Sequence, residues 1–557
     1  MNRRELLAGM GAMLAAKHLS AAESTLEVGY VNARLWTGRT DRIGRRPQTT
    51  AFGTVGNRIA VVGDDAHVRS MADRNTRIID LDGAFVVPGF IDNHTHFLRA
   101  SAMLNRPELR TAKSRQEFVE RVGKAARELR PGQWLQGGNW DEQMWGGELP
   151  TRAWIDAVTP DRPVAVVRYD LHLMLLNSLA LQLAGIGKHT PDPEGGLILR
   201  APDGEPTGLI KDKAKDLVLR VIPAMSDADA DAAIGAGTRY ALSKGVTQVH
   251  VTELDWVTHH ALRRLRARNK IGMRFYSFVP IEDWQRMAAL VRAEGRGDDW
   301  VRWGGLKGLI DGSLGSRTAL MREPYADDPT NHGIYRTPRD KLHQYIAAGD
   351  AAGLHIAVHS IGDEGNDEVL DMYADVAARN GPRDRRFRIE HAQHLLPQDV
   401  PRFAKQQVIA SMQPYHAIDD GRWAVKPLGE RRLHFAWAIR SLLDAKARVT
   451  FGTDWPVAPI DPLRGIDAAV SRRTLDGAHP NGWVPEQRIT VAEALTAYTA
   501  TNAYAGFQED RLGILEAGRL ADLTVLDTDL TACAPERIVT AKVLRTIVDG
   551  QVRFEGA

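Results

Sequence analysis

Eight short apolar runs punctuate the chain between residues 89 and 454, most of them leading into an amphipathic stretch. They are "GFIDNH" (89–94), "GVTQVHV" (245–251), "MRFYSFV" (273–279), "GGLKGLI" (304–310), "LHIAVHS" (354–360), "RFRIEHA" (386–392), "VIASMQ" (408–413) and "RVTFGTD" (448–454). Strands buried on both faces of a parallel sheet read as continuous apolar runs of this kind. Helical patterns fall between them at 231–244, 339–352, 364–380, 397–407 and 437–446. Eight strand-then-helix units predict an α/β chain folded as a (β/α)8 TIM-like barrel.

The interval between residues 94 and 245 is too long for a bare loop, so residues 105–235 are expected to form an insertion after barrel strand 1. It carries Trp134, Trp140 and Trp145 beside glycines and acids. Core packing is the default for such rings. An apolar cover over the barrel mouth is the alternative, which makes Trp140 a candidate substrate contact.

Residues 26–87 alternate through Gly-containing turns, and "GILEAGRLADLTVLD" and "VLRTIVDGQVRFEG" near the C-terminus have the same texture. Each piece is too small for its own core, so the two ends are expected to pair into one composite β-sandwich. The expected limits are 25–87 and 501–557 for the sandwich, and 88–500 for the barrel with its insertion.

Charge and cysteine content narrow the function. Lys and Arg number 72 against 70 Asp and Glu, a formal charge of +2, which points to no nucleic-acid or membrane-surface partner. The single cysteine, Cys533, excludes an intrachain disulfide and a multi-thiolate metal site. The first 24 residues, "MNRRELLAGMGAMLAAKHLSAAES", follow the plan of an export signal, with Arg3 and Arg4 before an apolar stretch in a twin-arginine-like pattern. A buried N-terminal helix is the other reading. The expectation is export, to the periplasm. No later segment is long and apolar enough to span a membrane.

Active-site groups of a parallel barrel sit at the C-terminal ends of its strands. There the sequence places His94 and His96, His359, His391 and Asp454, with Lys307 inside the fourth apolar run. A lone histidine at a strand end is more often a hydrogen-bonded core residue. Four histidines and an aspartate at the ends of four strands of one barrel instead point to a metal held by nitrogen and oxygen. Lys307 and Asp311 share one parity, so Asp311 is the alternative inward acid. Weaker candidates surround these. His172, Arg317, Trp140, Gln413 and His416 are possible substrate contacts, with Ser316 beside Arg317 and hydrogen-bonding support as another role for Gln413 and His416. Asp363 is placed to orient His359. Glu390 faces away from His391 by parity and reads as structural, and no motif claims His250.

The motifs "VVPGFIDNHTH", "GEPTGLIKDKAKDLV", "LKGLIDGSLGSRTALMREPY", "GLHIAVHSIGD", "RIEHAQ", "FGTDWPV" and "LGILEAGRLADLTVLD" span nearly all of the chain beyond the leader. Together they resemble the metal-dependent amidohydrolase superfamily, in particular the branch that includes N-substituted formamide deformylases and exported hydrolases. The resemblance implies that His94 and His96 bind a buried metal, that His359 and His391 bind an outer one, and that Asp454 binds the buried ion and handles the proton. It also implies that Lys307 is carboxylated by carbon dioxide and bridges the two ions. A mononuclear site of His94, His96, His359 and Asp454 is the alternative.

The expected cofactor is one or two divalent ions per chain, Zn2+ foremost. The expected activity is hydrolysis of a non-peptide C–N bond in an amide, N-substituted formamide or cyclic amide by metal-activated water. Catalytic roles fall to Asp454 and Lys307. An esterase, lactonase or organophosphate hydrolase on the same centre is the runner-up, and a non-catalytic metal-binding regulatory protein the third class. The expected partner is a small-molecule substrate, and a homodimer is the candidate assembly.

Overall fold

The computed structural model describes residues 25–39, 49–104, 106–129, 132–168, 173–193, 196–315 and 317–556. Residues 1–24, where an export signal is expected, and His172 lie outside them. The chain divides into two compact units, one of residues up to Phe97 and from Thr238 onward, the other Leu98–Gly237.

The larger unit holds an eight-stranded, all-parallel sheet whose strands follow one another in chain order: β1 (Phe90–Thr95), β2 (Val246–Val251), β3 (Arg274–Pro280), β4 (Val301–Leu309), β5 (His355–Ser360), β6 (Arg388–His391), β7 (Ile409–Met412) and β8 (Arg448–Phe451). All eight coincide with the apolar runs of the sequence. The sheet curls until its edges meet. Just past β8, Asp454 donates its backbone N–H to His94 O (2.7 Å), and His96 donates its own to Trp455 O (2.9 Å). Thr453 adds its backbone N–H and hydroxyl to the Asp92 carboxylate, at 3.0 and 2.5 Å. Gly452 permits this approach, since a Cβ there would lie 2.6 Å from the backbone nitrogen of His94. The seam thus carries Asp454 onto the strand that bears the two leading histidines.

Helices flank the strands where the sequence changes period. Val491–Tyr498 begins at a capping box, with Thr490 accepting from Glu493 N and the Glu493 side chain returning to the Thr490 backbone. It packs against β8 and β1, and helix Ala500–Ala505 does the same. The barrel layer therefore continues past residue 500, and the first C-terminal sandwich strand is Leu523–Leu526.

The sandwich is composite, though unevenly so. One sheet is wholly N-terminal, in the order Arg58–Gly63, Ala51–Val55, Val28–Val31, Arg77–Asp80. The other interleaves the ends: Arg34–Leu35, Phe85–Pro88, Leu523–Leu526, Val543–Val548, Gln551–Glu555. Tyr30 and Phe52 from the first sheet and Val86, Leu523, Val525 and Ile547 from the second share one core.

The unit Leu98–Gly237 has its own five-stranded sheet, in the order Gly196–Arg200, Pro206–Asp212, Leu173–Leu176, Val164–Arg168, Leu135–Trp140. Trp140 is fully buried in its core beside Phe118, Trp154 and Val166, and donates its indole N–H to Val166 O at 3.1 Å. Trp134 belongs to a second apolar cluster of the same unit. The packing reading of Trp140 prevails, and it is not a substrate contact, because its ring is fully buried in the core.

Candidate metal centre

Six of the side chains singled out by sequence meet at the C-terminal end of the barrel. Nε2 of His94 and Nε2 of His96 lie 3.5 and 3.2 Å from the same oxygen, Asp454 Oδ1. These three residues can offer ligand atoms all within 4.8 Å of one another, and so can His391, His416 and Asp454. Two three-donor sets therefore share one carboxylate. Asp454 holds φ 58°, a left-handed conformation tolerated by Asp more than by most residues.

The Lys307 ammonium nitrogen lies 3.4 Å from His94 Nε2. Burial lowers its pKa to about 8, partly opposed by Glu390 and Asp454, so near neutrality a fraction is the free amine. Asp311, the alternative inward acid, points elsewhere. It accepts backbone N–H groups from Leu320, Ile361 and Gly362 at 2.8–3.0 Å, tying the loops after β4 and β5 together. It also lies 3.5 Å from His359 Nε2, which is 2.9 Å from Gly312 O. Asp363 does not orient His359 as expected. Its carboxylate accepts from the backbone of Arg322 and Glu364, because it opens helix Asp363–Asn380 and faces that helix's free N–H groups.

The His359 ring stands 4.4 Å from His391, centroid to centroid, so it borders the centre. His416, expected as a substrate or supporting residue, instead joins His391 and Asp454. It stands on helix Pro414–Asp420, just past β7, where strand parity gives no signal. Gln413 supplies the Oε1 that lies 2.8 Å from His391 Nδ1, matching the supporting role and not a substrate contact. Arg317 is also no free substrate contact. Its guanidinium pairs with Asp327 at 2.5 Å and donates to Leu314 O and Gly315 O, closing its own loop.

Glu390 is the largest correction. It is fully buried in the barrel, and one carboxylate oxygen lies 2.5 Å from His94 Nδ1. Arg388 grips it through Nε (2.7 Å) and Nη2 (2.9 Å), and Ser411 donates a hydroxyl at 2.8 Å. Parity misleads here because β6 ends in two left-handed residues, His391 (φ 77°) and Ala392 (φ 43°), which turn His391 inward as well. His250 lies deeper in the same network, with Nδ1 2.9 Å from Arg388 Nη1.

The donor set fits a divalent cation. Asp454 Oδ1 is buried with no aligned hydrogen bond, although two imidazoles face it. Burial, with the nearby Lys307 charge, lowers His94 to about 4 and His359 to about 3, leaving both rings neutral as ligands require. Burial likewise holds His391 well below the usual value. His96 differs. Burial lowers its pKa, but Asp454 and Glu253 outweigh that and push it up to about 9, so a cation would compete with a proton for its Nε2. Burial also raises Asp454, yet His94, His96 and His391 outweigh it and hold the carboxyl well below the ordinary range. The neutral rings of His94, His359 and His391 beside an ionised carboxylate suit zinc and related ions.

Comparison with known proteins gives the family. A profile of the amidohydrolase family matches residues 77–554. Protein LONG AFTER FAR-RED 3 of Arabidopsis thaliana is 40% identical over 506 residues, covering 89% of this chain and 86% of that protein. N-substituted formamide deformylase of Arthrobacter pascens is 30% identical over 517 residues, covering 90% and 94%. The crystal structure of an uncharacterized metal-dependent hydrolase from Pyrococcus furiosus aligns with a TM-score of 0.76 at 29% identity, covering 90% of this chain and 99% of that one. With the barrel, its cluster of histidines around one aspartate, and a family match from residue 77 to residue 554, the chain belongs to the amidohydrolase family.

Proposed function

We propose that the protein is a metal-dependent hydrolase that cleaves a non-peptide C–N bond in an amide, an N-substituted formamide or a cyclic amide. The observation that carries this reading is the convergence of His94 and His96 on the buried, unsatisfied Oδ1 of Asp454. His94, His96 and Asp454 would hold one ion, and His391 with His416 or His359 a second. When bound, a divalent ion supplies Lewis acidity, lowering the pKa of water to about 7 and polarising the substrate carbonyl.

The chain's own groups supply the rest. Asp454 is an ionised carboxylate at the centre, placed to take the proton of the attacking water and return it to the leaving nitrogen. An amine leaves poorly unless protonated, so the same proton serves both steps. One water and one amide then yield a carboxylate and an ammonium ion. Lys307, as the free amine, can combine with carbon dioxide and release a proton, leaving a carbamate anion among the donors. The N-substituted formamide deformylase at 30% identity favours a formamide or related amide. The Arg3–Arg4 leader supports export, tested by N-terminal sequencing of the mature protein.

The deciding experiment measures hydrolysis of matched N-formyl, N-acyl and ester substrates by the metal-loaded protein. Amine release from an amide or formamide, faster than alcohol release from the matched ester, is the expected result. Ester cleavage alone makes the protein an esterase. Failure on both overturns the hydrolytic reading.

A further inference from the structure

The histidines of the centre each have a ring nitrogen anchored by a neighbouring group, and the anchors are of two kinds. His94 Nδ1 meets the carboxylate of Glu390 at 2.5 Å, and His96 Nδ1 lies 3.4 Å from the carboxylate of Glu253. On the other side of Asp454 the nearest anchors are neutral. His391 Nδ1 meets the amide oxygen of Gln413 at 2.8 Å, and His359 Nε2 lies 2.9 Å from the backbone oxygen of Gly312, with a carboxylate oxygen of Asp311 farther off at 3.5 Å. His416 turns toward the backbone of Thr453.

We propose that Glu390 and Glu253 are positioning residues that rank the two cation positions, so that the one at His94 and His96 fills first and holds its ion more tightly. The inference rests on the metal-centre reading above. A carboxylate accepting the ring N–H makes a charge-assisted bond about twice as strong as a neutral one. It fixes the tautomer and raises the basicity of the opposite nitrogen, the one left for the metal. An amide or peptide oxygen fixes the tautomer with a weaker pull.

Two cations face this arrangement. Arg388 binds both oxygens of Glu390, including the one that meets His94, and also donates to Asn93 O at 2.7 Å. Lys307 stands 3.4 Å from His94 Nε2. They reduce the local negative field but leave the ranking intact, because the atom meeting His94 Nδ1 is still a carboxylate oxygen. Arg388 and Ser411 moreover hold that oxygen in place, so no rearrangement accompanies metal entry.

The test titrates metal-free, full-length protein with Zn2+ against a competing chelator and reads the dissociation constants directly. Two classes of site are expected in the wild type. Glu390→Gln weakens the tight class about 10- to 100-fold and leaves the weak class unchanged. Gln413→Glu gives His391 an anionic anchor and tightens the weak class about tenfold. The second variant keeps the inference falsifiable if the first fails to fold. A single uniform class, an unchanged tight class in Glu390→Gln, equal weakening of both classes, or no tightening in Gln413→Glu overturns it. Protein that takes up no Zn2+ sinks the proposed function as well, whereas uptake insensitive to both substitutions sinks only this inference.

Discussion

Arg274, at the first position of β3, clamps Asp522, just ahead of sandwich strand Leu523–Leu526, through two bonds of 2.7 and 2.9 Å in a fully buried pair. Asp549, on the sandwich hairpin, accepts a third bond from the same guanidinium at 2.9 Å. Barrel and sandwich are thus joined by a charge network whose Arg274–Asp522 pair is buried from water. Removing one partner of such a pair leaves the other charged and unsolvated. Arg274→Ala should cost about 3–5 kcal/mol, whereas Arg274→Met with Asp522→Leu should cost much less. Denaturant unfolding of the three proteins checks this, and equal losses would mean the pairing contributes nothing specific.

The proposed function gives Asp454 two roles, holding the ion and moving the proton. Asp454→Asn keeps the shape but removes the base, so kcat should fall by about 10²–10⁴-fold. Near-wild-type turnover with bound metal would remove it from the mechanism. The circular dichroism spectrum should stay that of the wild type, since the β1–β8 seam is made by backbone atoms of residues 94, 96, 454 and 455 and by Thr453.

Chelation should abolish hydrolysis, and added Zn2+, Mn2+ or Co2+ should restore it. An ion that binds only the folded chain should raise the unfolding free energy by about 2.7 kcal/mol at a free metal concentration 100 times the dissociation constant. Melting curves with and without metal measure this. An unchanged midpoint would place the ion elsewhere or nowhere.

His416 and His359 compete for the role of outer ligand. The clustering of donors favours His416, because His359 Nε2 is engaged by Gly312 O. Metal analysis of His416→Ala and His359→Ala should find the larger loss, approaching one ion per chain, in the first. The reverse order would return His359 to the position inferred from resemblance.

Asp420, in the last turn of helix Pro414–Asp420, has its pKa raised to about 8, first by burial and then by the charge of Asp419. Its folded value lies above the unfolded one of about 3.9, so the unfolded chain sheds this proton first. Stability therefore falls as pH rises from about 4 toward 8 and levels off above that. Asp420→Asn should flatten this decline, raising the unfolding midpoint at pH 8 and leaving it unchanged near pH 4. An identical pH profile in the variant would refute the assignment.

The barrel was legible because a strand covered on both faces must be apolar along its whole length, and each of the eight runs announces itself locally. The five-stranded sheet of the insertion was not, since its strands carry glycines at Gly137, Gly138 and Gly208 and mix polar with apolar positions. At the site, His94, His96, His391 and Asp454 were readable from their places at strand ends. Glu390 was misread because period-two alternation fails where the backbone turns left-handed at His391 and Ala392. His416 stood beyond its strand, on a helix, outside the rule that found the others.

The order of residues alone determined a parallel barrel and the chemical character of its donors: imidazole and carboxylate in place of thiolate, gathered at one end. Only the tertiary structure decided what each ring nitrogen meets. His94 and Glu390 are 296 positions apart in the chain and 2.5 Å apart in space. No local pattern encodes that contact, because it exists only once the sheet has closed and β6 has come round to face β1.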